Sequence, residues 1–447
     1  MEQMITLDLL QRMNDRFEQS FEGKLSRNAV TRSGLAASAA DYAMERRMRY
    51  SFSLEVEVGK VTNQKSSGRC WMFAALNTMR FEIMKKLNLE TFELSQSYPL
   101  FYDKLEKSNY FLENILTSLD APLDGRLVAF LLQSPVQDGG QWDMFRSLVE
   151  KYGVVPKDQM PETFHSSNTG LMNKFLTLKL RQFACELRTA HEEGESLADL
   201  RAKKESMLAE IHHMLCVCLG TPPTALSFEV RNKDKAFHRA QMTPVEFFRT
   251  YVGWNLADYV SLIHAPTKDK PYERMYTVDR LGSVFGGAYP VRYLNLPAEQ
   301  LKEAAIRQLQ DGHPVWFGCD VGQWLHREWG CMDTAAFDFA GVLGTAFPLT
   351  KAQRLDYGES VMTHAMVFAG VNLDENGKPD RWKVENSWGD KSGNEGWYIM
   401  SDDWFSEYTY QVVVHKKHLT NRQLELLSQE PIILKPWDPM GSLATVL

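Results

Sequence analysis

An α+β fold is predicted: a helical half first, a helical insertion next, and an antiparallel β half last. Three observations predict it. Apolar residues recur at three- and four-residue steps through the early chain and again from roughly residue 170 to 285. Beyond residue 297 the texture changes to short β-rich runs separated by turn residues. No internal repeat or low-complexity linker separates these regions. The 447 residues, 44% of them hydrophobic, are enough for more than one domain or subdomain.

The opening segment, "MEQMITLDLLQRMNDRFEQSF", is broken by charges and lacks the apolar core of a signal peptide. Ile5, Leu9, Met13, Phe17 and Phe21 instead fall at helical spacing, so residues 1–55 read as a helical arm. Within it "MERRMRY" (44–50) reads as a solvated helix face. A helical lobe follows over 56–165. In "CWMFAALNTMRFEIMKKL", Met72, Leu76, Met79, Ile83 and Leu87 share one helix face. The insertion, 166–290, holds two long helices broken at "EEGES", the second with a serine cap and a stop at Gly220. His212 and His213 are adjacent and point to different faces, which argues against a shared metal. Cys216 and Cys218, inside an apolar run, read as buried thiols.

The β lobe is expected over 291–425. A helix starts near Pro297 and stops at Gly312. Strands follow in "HPVWFGCDV", "HAMVFAGV", "RWKVENSW", "GWYIM" and "YQVVVH", with "ENGK" as a turn between two of them. The last segment, 426–447, carries Pro436, Pro439 and Gly441, through which regular structure cannot persist. It reads as an extended tail, apolar and nearly uncharged, unlike a solvated terminus.

Composition excludes several classes. Lys+Arg number 50 against 57 Asp+Glu, a net charge of -7, with no long basic block, so nucleic-acid binding is disfavoured. No segment approaches 18 apolar residues, so no membrane span is expected. Six cysteines in so long a chain do not make a disulfide scaffold and fit a reducing cytoplasm.

The chemistry points to a thiol. A catalytic cysteine needs help ionising, a proton carrier in reach, and donors for the oxyanion it creates. In "NQKSSGRCWMFAALN", Cys70 stands at the start of a helix, where backbone N–H groups and the dipole favour a thiolate. Ser66, Ser67 and Gly68 suit the turn exposing it. Gln64, six residues upstream, can aim its amide at the site and form an oxyanion hole with the Cys70 N–H. "THAMVFAGV" starts an apolar strand with His364, and "VENSWGD" places Asn386 on the strand paired through the "ENGK" turn. Asn386 would fix the imidazole tautomer, and Trp388 would shield that bond from water. No metal or organic cofactor is required.

Taken together, Q-x5-C-W, then His, then N-S-W-G resembles the papain-like cysteine peptidases. "QDGGQW" is similar to that family's Gly-Gly strand, which implies that Gly139 and Gly140 let a substrate backbone approach closely. There are departures. Ser67 stands where secreted members have a disulfide cysteine, and Gly68-Arg69 replaces the usual Gly-Ser or Gly-Ala. Cys70 and His364 lie much further apart than the about 130–150 residues of papain and cathepsins; the insertion accounts for the excess. "NQKSSGRCWMFA", the insertion, "VENSWGD" and "PWDPMGSLA" together resemble the bleomycin hydrolase/aminopeptidase C family over essentially the whole chain.

That resemblance implies a papain-like two-lobed fold with a large helical insertion and N-terminal arm, assembled as a homohexamer. It implies a cysteine aminopeptidase acting on peptides, with the C-terminal tail in the cleft and the carboxylate at Ala444 pairing with a substrate's ammonium. Thr445, Val446 and Leu447 extend past that alanine by roughly 10 Å. Trimming, a different tail path or weaker aminopeptidase activity would each accommodate them. The alternatives are an endopeptidase with an open cleft and a non-catalytic scaffold or nucleic-acid-binding assembly.

Overall fold

The computed structural model describes residues 4–287 and 289–443. The arm opens with two helices, Leu7–Gln19 and Phe21–Ser33, where one apolar rhythm runs through the sequence, and two short helices, Leu35–Ala39 and Met44–Arg47, follow. Ser20 breaks the run: its backbone is extended and its side chain caps the second helix by accepting from the Gly23 N–H. Neither of the first two helices buries a residue; Ile5, Leu7, Met13, Phe17, Phe21 and Leu25 all stand exposed.

The helix Cys70–Leu87 is the axis of the molecule. It is apolar nearly all round, with 13 of its 18 residues buried, as a helix enclosed on all sides must be. A core cluster on one side joins it to helices Ser97–Leu116 and Trp142–Tyr152 and to the long pair Gly170–Glu192 and Leu197–Leu219. The pair is broken at the expected place, with Ser196 capping the second helix and Gly220 ending it. Cys216 and Cys218 are half-buried rather than core thiols, because they sit on the flank of that helix, with exposed His212 one turn from Cys216. No helix among the described residues is long and apolar enough to cross a membrane.

On the other side stands one large sheet. Its central strands are Thr409–His415, Val315–Cys319, His364–Leu373, Pro379–Glu385 and Trp397–Ser401, in that order and antiparallel. The "ENGK" turn pairs the third with the fourth, with Val367 opposite Glu385. Short strands at its margins add parallel pairs, such as Trp397–Ser401 with Cys331–Met332. The helix Ala298–Gln310 packs its Leu301, Ala304, Ala305 and Leu309 against this sheet.

Two segments read as insertion by sequence belong to the sheet. Tyr259–Ile263 pairs with Thr409–His415, and Arg274–Val278 extends the sheet further. The insertion also ends in a hairpin, Leu226–Arg231 with Phe237–Met242, that helical periodicity does not announce. Ile432–Leu434 then pairs in parallel with Arg274–Val278. This fixes where the tail leaves the sheet.

Candidate active site

The turn before the helix Cys70–Leu87 is built from polar residues that hold one another. Lys65 adopts a left-handed backbone (φ 55), costly for a residue with a side chain, and its N–H donates to Asn63 Oδ1. Ser66 bonds Ser167 and Thr169 through the backbone, while Gly68 N–H donates to Asp138 Oδ2 at 2.8 Å. Arg69, fully buried, forms a two-pronged pair with Glu162 at 3.0 and 2.9 Å. Ser67, at the position of the family disulfide, accepts from Arg69 Nε and donates to the Gln64 carbonyl. Hydrogen bonds here fill the role of the covalent link.

Gln64 is buried and its amide orientation is set from both ends. Nε2 donates to the Ser67 carbonyl at 2.6 Å, and Oε1 accepts from Ser387 Oγ at 2.6 Å. Ser387 follows Asn386, so the loop carrying Asn386 also holds Gln64. An antiparallel bridge between Asn63 and Trp388 joins the same two segments. Gly389 is required there: its φ is +77, and an added Cβ would lie 2.4 Å from Asn63 Nδ2.

Cys70, His364, Asn386 and Trp388 converge at this junction. His364 Nε2 lies 2.9 Å from Asn386 Oδ1, so that nitrogen carries the proton and donates. Nδ1 is buried and makes no hydrogen bond among the described residues. The Trp388 ring sits 5.0 Å from the imidazole and covers it, as expected. The N–H of Ala365, next to His364, faces the Cys70 sulfur, as do those of Trp71 and Cys70 itself.

Burial dominates the electrostatics. Loss of water pushes the Cys70 thiol up to about 12, opposed by those N–H groups. Burial lowers His364 to about 4; the Asn386 bond resists and the Arg327 charge assists. Burial therefore disfavours charge on both groups.

Gly139 and Gly140 lie beside Trp71, the residue that follows Cys70. An added Cβ on Gly140 would lie 2.5 Å from the Trp71 indole, whose Nε1 donates to the Asp138 carbonyl. The Gly139 carbonyl accepts from buried Lys107. Asp138 is the supporting residue that sequence reasoning missed. Burial alone would raise its pKa, yet Lys104 and hydrogen bonds from Thr169 and Asn173 hold it well below the usual range. The available signal was an acidic residue beside "GG" in an apolar neighbourhood.

The described end of the tail packs close to His364. Gln141 Nε2 donates to the Ser442 carbonyl, and Ser442 Oγ donates to the carbonyl of Met362, two residues before His364. Ala444 and Thr445–Leu447 lie outside the described residues.

A clamp of charge joins helix to sheet below the site. Glu385 accepts from Asn77 at 2.8 Å and Arg80 at 2.7 Å, all three buried. Glu385→Ala strands the Arg80 guanidinium and is expected to cost about 3–5 kcal/mol. Burial already pushes Glu385 up to about 7 against the pull of Arg80, so Glu385→Gln should cost less. Denaturant midpoints of the two variants check both values.

The profile of the Peptidase C1-like family matches residues 4–441. Aminopeptidase C of Listeria innocua is 49% identical over 441 residues, covering 98% of this chain and 99% of that protein. Human bleomycin hydrolase is 43% identical, covering 94% of each. A crystal structure of pepw from Lactobacillus rhamnosis superposes with a TM-score of 0.97 at 50% identity, covering 99% of this chain and all of that one. The site and these likenesses agree, and the chain belongs to the Peptidase C1-like family, in the bleomycin hydrolase and aminopeptidase C branch of the papain-like cysteine peptidases.

Proposed function

We propose that the protein removes residues from the free N-termini of peptides through an acyl-enzyme on Cys70. The hydrogen bonds of Ser442 with Gln141 and with the Met362 carbonyl, two residues from His364, are the observation that supports this reading. A chain end so placed blocks passage of a long substrate on that side. Its carboxylate, on any terminus near Ala444, would meet the substrate's ammonium.

In the proposed reaction the Cys70 proton passes to His364 Nδ1 as sulfur attacks the carbonyl of the first peptide bond. Nδ1 suits this role because Asn386 holds the other nitrogen protonated. The amide of Gln64 and the N–H of Cys70 stabilise the oxyanion, one such donor being worth about 3 kcal/mol. His364 then protonates the leaving amine and activates water to release the acyl group. Kinetics on aminoacyl substrates with free and acetylated amines test the reading. Equal rates would favour an open-cleft endopeptidase.

The same reading includes assembly as a homohexamer in the cytoplasm. The exposed apolar residues of the arm form a surface that calls for cover, and a second copy is the occupant we propose. All six cysteines are unbonded, as a reducing compartment requires. Sedimentation should give six times the 51.3 kDa chain mass, and Phe17→Glu with Phe21→Glu should lower it. A monomer at micromolar concentration would refute the assembly.

A further inference from the structure

We propose that Arg327 binds a carboxylate on the leaving half of the substrate, favouring short peptides whose free C-terminus lies one residue beyond the bond cut. The proposal rests on the peptidase reading above.

Arg327 occupies the turn between the short strands Leu325–His326 and Cys331–Met332. Its guanidinium carbon lies 4.2 Å from the centre of the Trp388 ring, and that ring lies 5.0 Å from His364. The stacking orients the planar fork without occupying its N–H donors. Arg327 is exposed, and among the described residues its side chain has no acidic group within 4.0 Å and no hydrogen bond. Many other arginines here are paired, among them Arg69 with Glu162, Arg80 with Glu385 and Arg354 with Glu407. Its charge reaches the site, since it helps to hold the His364 pKa down.

Chain direction supplies the rest. The tail enters beside Gln141 and Met362, so the substrate's amine end belongs there. The backbone then runs past Cys70 toward His364, whose Nδ1 must reach the leaving nitrogen. The next surface along that path is Trp388 with Arg327 above it. One extended residue spans roughly 3.5 Å. The α-carboxylate of a single leaving residue therefore falls within reach of a flexible arginine at these separations. A fork of N–H donors over a ring suits a planar carboxylate.

The test compares kcat/KM for Leu-Ala with that for Leu-Ala amide, on wild-type enzyme and on Arg327→Met, which keeps an apolar stem on the indole. Wild type should prefer the free acid by about two- to fivefold. Arg327→Met should bring the ratio near one, and Arg327→Lys should restore part of it. Added salt should reduce the wild-type preference, because the pair is exposed. Leu-Glu amide against Leu-Gln amide shows whether a side-chain carboxylate serves as well. The amine end is the same in each pair, so the ratio isolates the leaving side. A wild-type ratio of one, or a ratio unchanged in Arg327→Met, overturns the assignment of Arg327 alone. Failure of wild type to hydrolyse either dipeptide overturns the peptidase reading with it.

Discussion

Cys70→Ser is expected to bind peptide within a few fold of wild type and to lose roughly a thousandfold or more in turnover. The hydroxyl replaces the thiol at nearly the same position, so the anchoring of the turn by Asp138, Glu162 and Ser167 is untouched. What changes is acidity. Burial disfavours charge on both Cys70 and His364, so proton transfer between them is already uphill with the thiol. A serine hydroxyl surrenders its proton far less readily than a thiol. His364→Ala should fall to a similar level. The double variant should be little worse than either single one, because the two act as a unit. Steady-state rates, peptide binding by calorimetry and labelling with a thiol-directed peptide epoxide measure the three parts. Wild-type turnover in Cys70→Ser would remove this residue from the mechanism.

The candidate site groups were legible because chemistry constrains their type and spacing. A thiol at a helix start, an amide six residues before it, and an imidazole and carboxamide on strands joined by a tight turn leave few arrangements. Gln64, His364, Asn386 and Trp388 come together, with the N–H next to His364 facing the Cys70 sulfur. The groups holding them were not legible, because burial of a charge is a property of the fold. Lys104 and Asp138 lie 34 residues apart, and Arg69 and Glu162 lie 93 apart. In sequence each reads as an ordinary surface residue. Only packing from several directions removes water and makes each pair obligatory. Strand content inside the insertion failed for a related reason. "YVSLI" is a five-residue, largely apolar stretch, too short for its period to separate strand from helix, and its partner lies some 150 residues on. The arm split where one serine could cap a helix, a choice that an uninterrupted apolar rhythm conceals.

Ending the chain at Lys435 is expected to abolish most of the discrimination between free and acetylated N-termini. A free ammonium paired with the tail carboxylate in a dehydrated cleft is worth about 3–5 kcal/mol against a blocked one, or roughly a hundredfold or more in kcat/KM. The deletion removes that partner and opens the cleft, so internal bonds of longer peptides should be cut as well. The shortened chain should still fold. Ile432–Leu434 keeps its pairing with Arg274–Val278. Lys270, which bonds Asp438 at 3.0 Å, keeps Asp269 at 2.9 Å and is not left as an orphaned buried charge. The losses are Trp437 beneath Arg126, the carbonyl of Met440 on Tyr293, and the contacts of Ser442 with Gln141 and Met362. The buried Met440 side chain is the one loss from the core on the helical side, so a modest fall in the unfolding midpoint is expected. The unfolding midpoint therefore serves as the control, and rates on matched free and acetylated substrates are the readout. If the shortened enzyme is folded and still rejects blocked peptides, recognition of the amine belongs to the cleft itself and the tail is only packing.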